Sequence, residues 1–146
     1  MTDIKSFKNE MAFLSNFART PFTTPSGTYC ETVEHAFQAC KTDDTQQRVW
    51  ILESRTPLQA KQRGRCVDLR PNWNEVRLKY MKALVKLKFE QNPRPASMLC
   101  STGNCLLEEG NYWGDTFWGV DIRTGRGQNH LGIILMEVRT ELREGK

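Results

Sequence analysis

Three side chains in the segment TVEHAFQACK have types and spacing suited to acid–base chemistry. Glu34, Gln38 and Lys41 stand at i, i+4 and i+7, so a helix projects them within about 40 to 60° of one another. A carboxylate, a carboxamide and an amine on one rim supply a general acid or base, an orienting hydrogen bond, and a cation or nucleophile. The alternative is an exposed Glu-Gln-Lys row on an amphipathic helix. His35, at about 200° on the same wheel, faces away from the row and is not assigned to it.

Two further segments invite chemistry. GNYWGDTFWGVD sets Tyr112, Trp113, Phe117 and Trp118 around Asp115, with Gly119 beside the last indole. Such aromatics either fold back into the core or receive a planar ligand. An aspartate among them either has a raised pKa and acts as acid, or stays ionised and stabilises a cationic transition state. RTGRGQN, from Arg123 to Asn129, brings backbone amides, Arg126 and Gly127 to the start of the last helix. That arrangement suits phosphate, and a plain tight turn is the alternative. It is neither a Walker loop nor a dinucleotide fingerprint. Neither His35 nor His130 has the context of a serine triad.

These residues need elements to hold them. A hairpin is expected from residues 20–24 and 28–30 around Pro25-Ser26-Gly27. Val33, Ala36, Phe37 and Cys40 then mark a first helix from Thr32. Helices at 43–54 and 57–63 follow, the second with Thr56 as N-cap, Pro57 at its first position and Gly64 past its end. Asn72 and Glu75 predict a cap for a long helix with Trp73, Val76, Tyr80, Leu84 and Leu87 on one side, stopped by Pro93 and Pro95. A short helix over Pro95–Cys100, a strand or extended piece over Asn104–Glu108 and an aromatic loop over Asn111–Trp118 precede a last helix. Asn129 is expected to cap that helix, with Leu131, Ile134, Leu135, Val138 and Leu142 on its core face. The class is α+β, a single helix-rich domain over residues 1–146 with a small sheet, because strands and helices do not alternate regularly.

Composition narrows the reading. A chain of 146 residues has room for one ordinary domain and excludes a second full one. Mean hydropathy is −0.60. No run approaches the roughly 18 apolar residues of a membrane helix, and MTDIKSFKNE lacks a secretion signal, so no membrane partner and a cytoplasmic location are expected. Cys30, Cys40, Cys66, Cys100 and Cys105 form no C-x-x-C pair, which argues for reduced thiols and against a metal site. The net charge of +4 is uneven: Lys61 to Lys88 holds nine bases against two acids, a net +7. Such a stretch meets phosphate or forms a solvated helix face.

Taken together, these motifs resemble the NADAR (YbiA-like) family. The likeness rests on Ser15-Asn16-Phe17, Glu34-His35 with Phe37-Gln38 and Lys41, Gly64-Arg65, and Arg70 with Trp73, Arg77 and Met81. It continues through Thr102-Gly103, Glu108, Asp115 with Trp118-Gly119, and Gly127-x-Asn129-x-Leu131-Gly132 with Leu135-Met136 and Arg139. The resemblance implies a helix-rich α+β fold and a cofactor-free N-glycosidase acting on a ribosyl–nitrogen bond. Its functional positions match Glu34, Lys41, Trp73 and Asp115. Val33 and Thr42 depart from the usual Ser and aromatic, and Trp113-Gly114 adds a second Trp-Gly.

The resemblance makes Glu34, Lys41 and Asp115 the expected catalytic set. Asn16, Gln38, Arg65, Trp73, Trp118, Gly119, Arg126, Gly127 and Asn129 are the expected substrate contacts, with Trp73 on the base and the Arg126 loop on phosphate. The leading expectation is removal of ADP-ribose from guanine in nucleic acid, which pairs the protein functionally with an ADP-ribosyltransferase. The alternative is cleavage of early phosphorylated riboflavin-biosynthesis intermediates. A third reading, a non-catalytic ADP-ribose-binding module, has no need for the catalytic trio.

Overall fold

A computed structural model describes residues 2–146. The chain forms two compact units, one contiguous over Asn16–Asn92, the other built from residues 2–15 together with Pro93–Lys146.

The contiguous unit opens with the expected hairpin, its strands shorter than the sequence suggests: β1 (Phe22–Thr23) pairs antiparallel with β2 (Tyr29–Cys30). Gly27 turns the corner at φ +89°, a conformation side chains with a Cβ disfavour. Phe22 and Cys30 face the core while Tyr29 stays exposed. The Gln91 carboxamide completes the edge, accepting from Thr23 N at 2.8 Å and donating to its carbonyl at 2.7 Å.

Helix α1 (Val33–Ala39) starts at Thr32, whose hydroxyl accepts from His35 N at 3.1 Å. All seven of its residues are buried, because α2 (Thr45–Leu52), α3 (Pro57–Gly64), α4 (Trp73–Glu90) and β2 pack around it. Asp44 and Thr56 cap α2 and α3 through the amides of Gln47 and Gln59, and Pro57 sits in the first turn of α3.

Three expectations here are corrected. Gly64 is not beyond α3 but its last residue. A Cβ there would overlap the Gln38 side-chain oxygen, so glycine serves close packing rather than helix termination. Asn72 makes no side-chain cap bond, and the buried face of α4 is Trp73, Met81, Leu84, Val85, Lys88 and Phe89, with Val76 and Leu87 only half-buried. The apolar count alone set the face slightly out of phase, because it gave no weight to a lysine inside.

In the second unit α5 runs Pro93–Ser101, the short helix expected over Pro95–Cys100, begun two residues earlier because Pro93, expected only to stop α4, sits at its first position. Residues 104–108, expected as a strand or extended piece, contribute a single parallel bridge, Ile4 with Leu107. β3 (Gly110–Asn111) and β4 (Val120–Asp121) pair in parallel on either side of the aromatic loop. Helix α6 (His130–Arg143) packs on α5 and buries Leu131, Ile134, Leu135 and Val138, and Gly145 follows it at φ +73°. Its buried Arg139 donates from Nη1 to Thr102 Oγ1 at 2.9 Å and to the Cys105 carbonyl at 3.0 Å.

Asn129 does not cap α6 through its side chain. It adopts the left-handed conformation, φ 54°, and its carboxamide clamps the approaching chain, accepting from Glu109 N at 3.0 Å and donating to the Leu107 carbonyl at 2.9 Å. Asn129→Ala is therefore expected to lose about 2–4 kcal/mol in urea denaturation, since two buried backbone groups lose partners and alanine resists positive φ. Asn129→Gly, which relieves only the backbone term, should recover a part. A loss below about 1 kcal/mol in the alanine variant would show that the clamp contributes little.

Candidate active site

Glu34 sits in the first turn of α1, where the helix dipole favours an anion, and is 7% exposed. Gln38, one turn on and 4% exposed, donates from Nε2 to Glu34 Oε1 at 2.7 Å. The solvated-row alternative is thus excluded for both. Burial pushes the Glu34 carboxyl above the ordinary carboxylate range; the Gln38 bond, then Lys61, Lys41 and His35, pull it back. His35, fully buried, contacts Thr32 Oγ1 through Nδ1 at 2.8 Å and the Ser54 carbonyl through Nε2 at 2.9 Å. It joins α1 to the end of α2, a structural role in keeping with its place off the row.

Lys41 lies just past α1. Burial pushes its ammonium below the usual lysine value; Glu34 opposes this, while Arg65 and Lys61 add to it. Its backbone is held by Arg70 N, which donates to the Lys41 carbonyl at 2.7 Å. The Arg70 guanidinium in turn reaches Tyr80 Oη at 2.9 Å and Asp43 at 3.1 Å. Asn16 accepts from Glu34 N through its carbonyl at 3.1 Å, and its Nδ2 donates to Met81 sulfur at 3.4 Å. Trp73, 6% exposed, packs between Phe37, centroids 5.0 Å apart, and Tyr80, 6.2 Å apart and nearly parallel. Glu34, Gln38, Lys41 and Arg65 are thus one electrostatic cluster.

Sequence reasoning missed Lys61 in this cluster, because in a run of nine bases charge counting does not say which one turns toward a carboxylate.

In the second unit the Asp115 carboxylate orders the aromatic loop: Oδ1 accepts from Phe117 N at 3.1 Å and Trp118 N at 2.9 Å. The Asn111 side chain ties both backbone groups of Asp115. A ligand bond to this aspartate therefore falls to Oδ2. Phe117 and half-buried Trp118 fold against each other and against His130, whereas Tyr112 and Trp113 are exposed. Gly119 and Gly127 are close-approach positions: a Cβ at Gly119 would overlap Glu109, and one at Gly127 would overlap the Gly119 carbonyl.

Most amides of the loop before α6 are already engaged. Those of Arg123, Gly125, Arg126, Gln128, Asn129, His130 and Leu131 all donate within the unit, so Arg126 can offer an anion only its exposed guanidinium. Among the described residues no group of three or more His, Cys, Asp or Glu is placed to hold a metal ion, and no helix is long and apolar enough to cross a membrane.

Comparison with known proteins places this geometry. The NADAR domain model matches residues 4–143. "N-glycosidase YbiA" of Escherichia coli strain K12 is 35% identical over 94% of this chain and 85% of its own length. "N-glycosidase Npun_R5314" of Nostoc punctiforme is 39% identical over 80% of this chain and 76% of its own. "Riboflavin biosynthesis protein VVA0006" of Vibrio vulnificus is 39% identical over 90% of this chain, which spans only 36% of that relative. The NMR structure of E. coli YbiA matches with TM-score 0.87 at 33% identity, over 99% of this chain and 88% of that one. A family match over nearly the whole chain, with relatives of comparable length named N-glycosidases, means that the chain belongs to the NADAR family and is an enzyme of the N-glycosidase kind.

Proposed function

We propose that the protein hydrolyses the N-ribosidic bond joining ADP-ribose to guanine in nucleic acid. The observation that carries the chemistry is the buried Glu34 carboxylate, held by Gln38 Nε2 at 2.7 Å. Breaking a bond from a sugar C1 to nitrogen builds positive charge on the ring, and a carboxylate in a water-poor site stabilises that charge strongly. A carboxyl whose proton affinity burial has raised also suits proton exchange with the departing base near neutral pH.

In this reading Lys41 anchors phosphate, or its amine, easier to deprotonate than an exposed lysine, condenses with the opened ribose aldehyde, losing a water that hydrolysis later restores. Asn16 and Arg65 shape the remaining contacts of the Glu34 unit, with Trp73 packed behind them between Phe37 and Tyr80. The net reaction consumes one water and frees ADP-ribose, undoing the modification that an ADP-ribosyltransferase installs. The basic segment from Lys61, less its interior Lys88, favours nucleic acid.

The printed names of the Vibrio relative and of "Riboflavin biosynthesis protein PYRR, chloroplastic" of Zea mays favour a second reading, a phosphorylated riboflavin-biosynthesis intermediate cleaved by the same carboxylate. The test offers the purified protein a DNA strand carrying ADP-ribosyl-guanine and, separately, a ribosylamino-pyrimidine phosphate, with products followed by mass spectrometry. Release of ADP-ribose that weakens at least tenfold in kcat/KM from about 50 to 200 mM salt is expected. Turnover of the pyrimidine alone, insensitive to salt, would establish the second reading instead.

A further inference from the structure

The two ends of the Gln38 carboxamide have unequal fates. Nε2 donates to Glu34, whereas Oε1 is buried without a hydrogen-bond partner. An orphaned buried acceptor carries a desolvation cost that most side chains avoid by turning over. Here, turning the amide would place its oxygen against the carboxylate, acceptor facing acceptor. Gly64 lies on the other side, and any Cβ there would overlap that oxygen. The glycine makes the room that lets the oxygen rest on a bare Cα, and so lets the nitrogen reach Glu34.

We propose that Gln38, seated on Gly64, is a positioning residue that fixes the Glu34 carboxylate and sustains its charged form, so that the α1–α3 contact is part of the catalytic apparatus. The inference rests on the reading of Glu34 as the catalytic carboxylate. It assigns Gln38 to the carboxylate rather than to the substrate. The other groups bearing electrostatically on Glu34 are Lys61 of α3, Lys41 beyond α1 and His35 of α1. All three are retained in the variants below, so a change in Glu34 titration reports on the carboxamide.

The test follows the Glu34 side-chain carbon by 13C NMR in glutamate-labelled full-length chain, assigned with Glu34→Gln, in the parent, Gln38→Met and Gly64→Ala. The pH profile of kcat and KM is measured alongside on the N-riboside that the parent turns over. Methionine keeps the bulk of the side chain and removes the donor. Gln38→Met is expected to raise the Glu34 midpoint by about 1 pH unit or more, with the acid limb of kcat moving by the same amount and KM changing less than about threefold. Gly64→Ala, which dislodges the carboxamide, is expected to move the midpoint in the same direction.

If Gln38→Met does not fold, the double variant Gln38→Ala with Gly64→Ala, whose new methyl takes up part of the vacated space, carries the same readout. A Glu34 midpoint unmoved in a folded variant lacking the donor overturns the proposal and leaves Gln38 a packing residue. Full turnover by Glu34→Gln would instead sink the catalytic reading of Glu34, while the NMR midpoint would still say whether Gln38 holds that carboxylate.

Discussion

Glu34→Gln is expected to lower kcat about 1,000-fold, on the order of 4 kcal/mol of transition-state stabilisation, while the protein stays folded. The substitution keeps shape and volume, and the new carboxamide oxygen can still accept from Gln38 Nε2. What disappears is the charge that meets the developing cation and the group that exchanges a proton with the base. Stability should hold or rise, because a neutral amide in a site 7% exposed escapes the cost of burying an ionised group. Glu34→Asp, which withdraws the carboxylate by one methylene, should fall between the two. Single-turnover rates with a thermal melt of each variant make the check: a glutamine variant within tenfold of the parent would remove Glu34 from the chemistry.

The second large effect concerns stability rather than activity. Lys88 is 1% exposed on the inner face of α4, its amine 5.0 Å from the centre of the Phe89 ring, and burial pushes it down to about 7. In the unfolded chain a lysine holds its proton to about pH 10.4. Between those values the unfolded chain binds a proton that the folded one does not, so this residue makes stability rise with pH above about 7 and go flat below it. Across the whole window the contribution is on the order of 4–5 kcal/mol. Cys30 is pushed up to about 11 by burial and the neighbouring Cys40, which opposes the trend once unfolded thiols ionise. Urea denaturation of parent and Lys88→Met from pH 7 to 8.5 isolates the lysine. The stability difference between them should shift by about 1.5 kcal/mol in favour of the parent as pH rises. A difference that stays constant would mean that Lys88 remains charged in the fold.

That lysine also shows where sequence reading loses resolution. In the chain it is one of nine bases in a stretch that reads as a charged helix face; in the fold it is interior. Elements announced by a local bond were legible, such as Thr32 and Thr56 at helix starts, Gly27 in the hairpin and the α6 periodicity, because their causes lie within a few residues. Gly64 and Asn129 carry the types of helix-end residues but are determined by segments distant in sequence: Gly64 by Gln38, Asn129 by residues 107–109. The β3–β4 pair is two residues long on each strand, too short for any alternation to register. In the candidate site, the Glu34–Gln38 bond followed from helical spacing, whereas the Arg70 hold on Lys41 and the approach of Lys61 depend on how α3 and the chain before α4 pack against α1.

The parallel bridge between Ile4 and Leu107 has a consequence for how the protein is made. Leu106 N donates to Asp3 across 103 positions of sequence, so residues 3 and 4 leave the ribosome well before their partners at 106 and 107. At roughly 5–20 residues per second that delay is on the order of 5–20 s. The contiguous stretch from Asn16 to Asn92 faces no such wait. During synthesis the Glu34 cluster can therefore be assembled while the amino-terminal segment is still an unpaired strand edge, the kind of surface that chaperones recognise and neighbouring nascent chains can capture.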